Sequence, residues 1–269
     1  MGNSEYLNLI VQKYDNNFQY TQNESTAFNN LKTMLQGYFN SNYNYYNSNV
    51  DLDVQKSGSR AKGTAIKGSS DMDMFLSITD RYNEDQLKNY YDGIYDFLKS
   101  KNLQVRKQNV SIGVRYYNCD IDVVPAKKVN SSSYSKGYNR FNDHYLWSHK
   151  KQKRTLTNIQ KHIDLVQNSG LQKEIMLTKI WRNKNDLDFP SIYIEIMVTD
   201  ALKNIRTYDL EKDFLSVLRY IRDNILDKKV CDPSNGENVI SDTITNNEKE
   251  KIKKQANYAI EAKYWSDVF

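Results

Sequence analysis

Apolar residues recur along the chain with two different periods, and the change from one to the other divides it. Phe28, Leu31, Leu35 and Tyr38 fall on one helical face and predict a helix over roughly 24–39. A Tyr/Asn/Ser-rich loop at 40–49 follows. Asp51 to Lys56 then alternates as a short strand and runs into Ser57-Gly58-Ser59, a tight turn. Residues 71–78 alternate cleanly: Met72, Met74, Leu76 and Ile78 take one face, and Asp71 and Asp73 take the other. Leu87, Tyr91, Ile94 and Leu98 predict an amphipathic helix over 84–99. Strands are expected at about 103–107, 110–116 and 119–124. In the last of these, Asp120 and Asp122 share a face opposite Ile121, and Pro125 is expected to end the strand.

From about residue 155 the period is helical. Helices are expected over 156–167, 170–184, 191–207, 210–228 and 246–264, with one turn cluster from Cys231 to Gly236. The expected fold class is α+β. A mixed α/β domain over 1–150, including an N-terminal helix, is followed by a helical domain over 151–269. The boundary is expected near 130–150, a region that includes the Ser/Tyr/Asn-rich stretch from Asn130 to Arg140.

The chemistry gathers in the first domain. Period two sets the carboxylates of Asp71 and Asp73 side by side, and two like charges that close need a cation or a shared proton. Oxygen ligands of this kind suit Mg²⁺, which takes one or two carboxylates, waters and substrate phosphates. A further carboxylate from a neighbouring strand, Asp120 or Asp122, would complete a cradle able to hold two metal ions. Upstream, Gly58 lets the backbone approach a phosphate closely, and Ser59 adds a hydroxyl donor. Arg60, Lys62 and Lys67 add positive charge. Asp-x-Asp alone and Gly-Ser alone are commonplace; their ordered succession on strand, turn and strand is what gives them weight.

The run from Ser57 to Asp73 resembles the motif of the DNA polymerase β-like nucleotidyltransferases. It is most similar to the oligoadenylate synthetase/cGAS-like branch and its bacterial relatives, the CD-NTases of anti-phage defence. Asp122-Val123-Val124-Pro125-Ala126 resembles the strand of the third catalytic aspartate, which favours Asp122 over Asp120. Lys179-Ile180-Trp181 with Pro190-Ser191 resembles the helical-domain motif that touches the triphosphate, and the stretch from Asp232-Pro233 to Glu248-Lys249 resembles the CD-NTase C-terminal segment. The resemblance implies a polymerase β-like domain with a mixed sheet, and a helical domain that forms a cleft with it. It implies metal ligation by Asp71, Asp73 and Asp122, and nucleotide phosphate binding by Gly58, Ser59, Lys179 and Ser191. Two Mg²⁺ ions are the implied cofactor, with Mn²⁺ as an alternative. The implied substrates are NTPs, ATP among them, with dNTPs as an alternative. The implied product is a short cyclic or linear oligonucleotide read by a separate effector protein, with a regulatory protein or nucleic acid as a further partner. Relatives often carry a base-stacking tyrosine directly after the Ser191 position. Here that place is Ile192, and Tyr193 points about 100° away on a helix.

Two other enzymatic readings share the same active site. One is a template-independent polymerase or tailing enzyme; the other is NMP transfer to a protein or tRNA, against which the large helical second domain argues. A catalytically inactive scaffold is a third alternative, opposed by the presence of all three carboxylates. The basic run Lys150, Lys151, Lys153, Arg154 would serve a nucleic-acid groove or a solvated face.

Bulk properties add little. The chain has 269 residues, 39% hydrophobic residues, 21 tyrosines and a net charge of +5. The basic excess fits an anionic ligand but also a lysine-rich surface. Cys119 and Cys231 match no metal spacing and are expected as free thiols. His144 and His149 lack further partners for a metal and are expected on polar surface or in a linker. No run approaches the ~20 apolar residues of a membrane span, and no signal-peptide layout opens the chain, so a cytoplasmic protein is expected.

Overall fold

The computed structural model describes residues 2–17, 20–43, 50–68, 71–80, 86–129 and 142–269. The expected linker at 130–140, residues 44–49 of the expected loop, and Ser69-Ser70 lie outside the described residues. The chain folds as two compact units. A sheet unit takes 18–61 and 71–160, and a helical unit takes 1–17, 62–70 and 161–269. The division therefore differs from the expected 1–150 and 151–269. Residues 1–17 form a first helix, α1 (Asn3–Tyr14), whose Leu7, Ile10 and Val11 sit in the core of the helical unit. Their i, i+3, i+4 spacing is a legible amphipathic stripe on a short helix. The 62–70 segment is tied to the same end of the chain: Asn16 N donates to Ala65 O at 3.1 Å, and Lys67 N donates to Tyr14 O at 2.7 Å.

In the sheet unit, α2 (Gln22–Tyr43) leads into β1 (Val50–Ser57) and the short α3 (Gly58–Lys62). Next come β2 (Met72–Asp80), α4 (Leu87–Ser100), β3 (Gln104–Lys107), β4 (Ile112–Tyr116), β5 (Cys119–Lys128), β6 (His144–Ser148) and β7 (Lys153–Thr157). The sheet is ordered β1-β2-β5-β4-β3, with β6 pairing to the far half of β5 and β7 pairing to β6. β2 and β5 run parallel and every other pairing is antiparallel, so the sheet is mixed. One face carries Met72, Met74, Leu76, Ile78, Ile121 and Val123, and packs with Phe28, Leu31 and Leu35 of α2 and Tyr91, Ile94 and Leu98 of α4. The alternation read in the sequence is this burial.

The expected end of β5 and the expected boundary at 150 both differ from the structure. Pro125 does not end β5, which continues to Lys128. Pro125 falls between the last residue paired to β4, Val123, and the first paired to β6, Ala126. A missing amide donor is tolerated at such a changeover. The basic run at 150–154 is the turn and outgoing strand of the β6–β7 hairpin, with Lys150, Lys151, Lys153 and Arg154 all exposed. The expected boundary at 150 thus falls inside a hairpin.

The helical unit comprises α1, α5 (Ile159–Ser169), α6 (Gln172–Lys184), α7 (Ser191–Leu202), α8 (Leu210–Asn224), a small hairpin of β8 (Cys231–Asp232) and β9 (Asn235–Val239), and α9 (Asn246–Glu261). Its core holds Trp181, Tyr193, Phe189 and Phe214. α7 is apolar on most sides, and α6 buries every residue from Glu174 to Trp181, the polar Glu174, Thr178 and Lys179 among them. Their neighbours begin at polar caps: Asp209 accepts from the amides of Glu211 and Lys212, and Thr245 and Glu248 form a capping box on α9.

The turn cluster at 231–236 is held by Asp232. Its carboxylate accepts from Ser234 N at 2.8 Å and Oγ at 2.6 Å and from Asn238 Nδ2 at 3.2 Å, and it pairs with His162 Nε2 at 2.7 Å. Burial alone would raise the Asp232 carboxyl, but His162 and Ser234 hold it down to about 2. An unfolded aspartate titrates near about 3.9. The folded pKa is depressed, so the stabilisation is full above about pH 4 and is lost as pH falls from about 4 through about 2. Asp232→Asn is therefore expected to flatten the acid limb of the stability profile by on the order of 2 kcal/mol, measured by denaturant titration between about pH 5 and pH 2.

Candidate active site

The face of the sheet away from α2 and α4 carries the polar residues. Ser57 at the end of β1 stands opposite Asp73 on β2, and Asp73 stands opposite Asp122 on β5. Residues paired in register share a face, so Ser57, Asp73 and Asp122 form one row across three strands. Asp71 lies two residues before Asp73 and is exposed.

The turn after β1 is built around Gly58. Its φ is +68°, a left-handed conformation that favours glycine. A Cβ on residue 58 would lie 1.7 Å from Oδ2 and 2.2 Å from Cγ of Asp73. The Asp73 carboxyl therefore fills the space that any other side chain would need. Ser59 follows at half-burial, beside the backbone that meets Asp73.

The cations near this turn are already committed. Arg60 pairs with Glu24 at 2.6 Å and lies over the Tyr20 ring at 4.7 Å. Lys67 donates to Lys13 O at 3.0 Å. Tyr20 is a residue the sequence reading missed. Its hydroxyl is buried with no hydrogen-bond partner among the described residues, and burial pushes the phenol up to about 12, with Asp73 and Glu24 adding to the rise against Arg60. No local pattern around position 20 announces this role, which arises from a contact distant in sequence.

Asp120 and Asp122 are separated by their surroundings. Asp120 is exposed and pairs with Arg115 at 3.0 Å. Asp122 is half-buried beside Asp73. Burial, and then the charge of Asp71, raise the Asp122 carboxyl above the usual carboxylate range, against Arg106 and a hydrogen bond with Gln108. A carboxyl raised in this way by burial and a neighbouring carboxylate is relieved by a cation. Among the described residues no three His, Cys, Asp or Glu side chains close into a metal cage. An all-protein cage is not the usual Mg²⁺ site, which keeps waters and substrate phosphates as ligands. The donor set therefore fits a hard cation bound with substrate.

Lys179 and Ser191 belong to the helical unit. Lys179 is buried, and its Nζ donates to Thr64 Oγ1 and to Glu195 Oε1, each at 2.9 Å. Lys62 Nζ reaches the other oxygen of Glu195 at 2.7 Å. Burial alone would raise the Glu195 carboxyl; Lys179 and Lys62 pull it below the usual range. Ser191 opens α7, and its Oγ accepts from Arg182 Nη1 at 3.1 Å, which also donates to Phe189 O at 2.9 Å. Tyr193 is fully buried with its ring 5.1 Å from Phe189, so it lies in the core. His144, expected on the surface or in a linker, is instead buried in β6 with Nε2 2.8 Å from Ser77 Oγ.

No curated protein matches the chain. Among solved structures, CdnC of E. coli MS115-1 is similar in its form with ATP, with a TM-score of 0.68 and 22% identity over 90% of this chain and 89% of that one. It is also similar in its complex with HORMA-deltaN, with a TM-score of 0.67 and 21% identity over 91% and 89%. The CdnE c-UMP-AMP synthase of Rhodothermus marinus, with Apcpp and Upnpp, gives 0.66 and 14% over 96% and 95%. At these identities the likeness is one of fold. The family model described as Second Messenger Oligonucleotide or Dinucleotide Synthetase domain (SMODS) matches residues 1–162. That span takes in the whole row from Ser57 to Asp122 and more than half of the 269 residues, and the chain belongs to the SMODS family.

Proposed function

We propose that this protein is a metal-dependent nucleotidyltransferase of bacterial anti-phage defence. It joins NTPs into a short oligonucleotide signal, cyclic or linear, and releases pyrophosphate. The observation that carries this reading is the seating of the Asp73 carboxyl against Gly58, in register with Asp122. It sets the backbone turn of a phosphate cradle directly beside the carboxylates of a metal site.

In this reading Asp71, Asp73 and Asp122 hold two Mg²⁺ ions, for which Mn²⁺ can substitute. When bound, these supply activation of the attacking hydroxyl and charge neutralisation at the triphosphate. The chain's own residues do the positioning. Gly58 gives the approach and Ser59 a donor to the donor nucleotide's phosphates. Lys179 and Ser191 are read as further contacts to the triphosphate. Lys179 shares the Glu195 carboxylate with Lys62, which holds its ammonium in place. ATP is among the expected substrates; the similar CdnC was solved with ATP. A regulatory protein partner is supported by the HORMA-deltaN complex of that same CdnC. In this reading a separate effector protein reads the product. No helix among the described residues is long and apolar enough to cross a membrane, and Cys119 and Cys231 are free, which suits the reducing cytoplasm.

A second reading, a tailing enzyme or template-independent polymerase, draws on the exposed Lys150, Lys151, Lys153 and Arg154 of the β6–β7 hairpin. Incubation with Mg²⁺ and each NTP and dNTP, alone and with added RNA or DNA, distinguishes the two by mass spectrometry. Short oligonucleotides formed without a nucleic-acid acceptor support the first reading; growth of the added strand supports the second. Absence of pyrophosphate under every condition would sink both. Asp71→Asn and Asp73→Asn are expected to abolish product with the thermal melt retained. Asp122→Asn is expected to do the same, while Asp120→Asn keeps most activity. Gly58→Ala displaces the Asp73 carboxyl and is expected to lower kcat at least about a hundredfold, roughly 2.7 kcal/mol of barrier. Activity of the alanine variant within a few-fold of wild type would dissociate the turn from the metal site.

A further inference from the structure

The turn that carries Ser59 is held from both sides. On one side Gly58 is seated against the Asp73 carboxyl. On the other, Arg60 reaches back to the start of α2. Between them α3 has only five residues, and a helix that short does not hold its shape alone. Where the Ser59 amide and hydroxyl point therefore depends on what fixes residues 58 and 60.

Arg60 is held by a carboxylate with two tasks. Glu24 Oε2 accepts from Thr21 N at 2.8 Å while Thr21 Oγ1 accepts from Glu24 N at 3.2 Å, the reciprocal bonds of a capping box that starts α2. The other oxygen, Oε1, accepts from Arg60 Nη2 at 2.6 Å. The Arg60 side chain is only 10% exposed and that of Glu24 21%, so water and salt screen the pair little. The guanidinium also lies over the Tyr20 ring, and that ring is fixed in turn. Lys56 Nζ stands 4.1 Å from its centre, and the Phe28 ring of the α2 core lies 5.9 Å away. Arg60 Nε is buried with no hydrogen-bond partner among the described residues. A lysine at 60 would leave no such orphan, but it could not lie flat on the ring.

To reach a phosphate, Arg60 would have to abandon a largely buried carboxylate, which then stands unpaired. Its neighbour in the chain, Ser59, is free to do so. We propose that Arg60 is a positioning residue: clamped to α2 by Glu24 and Tyr20, it sets Ser59 toward the nucleotide's phosphates without touching them itself. This rests on the reading of Gly58-Ser59 as a phosphate cradle. The clamp and the Asp73 seat act as two fixed points, one on each side of the donor group.

Glu24→Gln gives the clamp and plain electrostatics opposite signs. Glutamine still closes the capping box, so the start of α2 is kept while the charge that holds Arg60 is lost. Removing a negative charge near an anion site tightens anion binding; loosening the clamp weakens it. Calorimetry with Mg²⁺ and each of the four 2′,3′-dideoxynucleoside triphosphates reads this without turnover, since these carry the phosphates but no hydroxyl with which to react. For the nucleotide that wild type binds best, Kd is expected to rise at least about threefold in Glu24→Gln and at least about tenfold in Arg60→Met. In a Ser59→Ala background, Arg60→Met is expected to add no more than about threefold, because the group it positions is gone. Tighter or unchanged binding in Glu24→Gln, or the same factor for Arg60→Met with and without the Ser59 hydroxyl, overturns the assignment. Should Arg60→Met not melt cooperatively, Glu24→Gln decides alone. If wild type binds none of the four, the cradle reading has failed and the clamp is read by NMR instead. The order parameter of the Ser59 amide is then expected to fall from about 0.85 to below about 0.6 in Glu24→Gln, and an unchanged value overturns the clamp.

Discussion

The carboxyl of Asp73 occupies the volume that a side chain at position 58 would need. From this contact the geometry of the sheet face unfolds. The left-handed turn at Gly58 lets β1 end against Asp73, and the antiparallel β1–β2 register brings Ser57 alongside. The parallel β2–β5 register then adds Asp122 to the same row. Strand pairing fixes such a row firmly, because a slip of one residue would turn every carboxylate into the core and every core residue out. Met72, Met74, Ile121 and Val123 on the opposite face make that slip costly. The hydrophobic alternation that builds the core is therefore also what aims the polar row.

Several cations at or after the Gly58 turn are held by the protein's own carboxylates. Arg60 is held by Glu24, and Lys62 and Lys179 share Glu195. Basic residues near a glycine-rich turn look in sequence like phosphate ligands. Here they first anchor loops and helices, and a buried carboxylate keeps two ammonium groups in one place. Removing one member of such a cluster leaves uncompensated charge in a poor solvent, which destabilises far more than the loss of a surface pair.

Much of the sheet unit was legible in the sequence because period two survives intact in β2 and β5, and because Gly58, Asp71, Asp73 and Asp122 are close in a motif or lie on a patterned strand. The less legible features depend on contacts between distant segments. α1 has a readable stripe but is short. The β6–β7 hairpin lies next to residues outside the described set and carries charges that mask its alternation. Pro125 reads as a strand end unless one knows that the neighbour of β5 changes there from β4 to β6. Arg106 and Gly113 carry no motif at all; only register brings them to Asp122.

The assignment of α1 to the helical unit bears on how the chain folds during its synthesis. Leu7, Ile10 and Val11 precede their core companions on α6 and α8, such as Ile175, Trp181 and Val217, by more than 150 residues. The 62–70 segment waits for the same helices. The sheet unit, by contrast, draws on nothing after residue 160 and can close earlier. The helical unit is thus a structure of high contact order, interrupted in sequence by the segments of a unit of lower one. The apolar stripe of its first helix finds its partners only once α6 and α8 have been made.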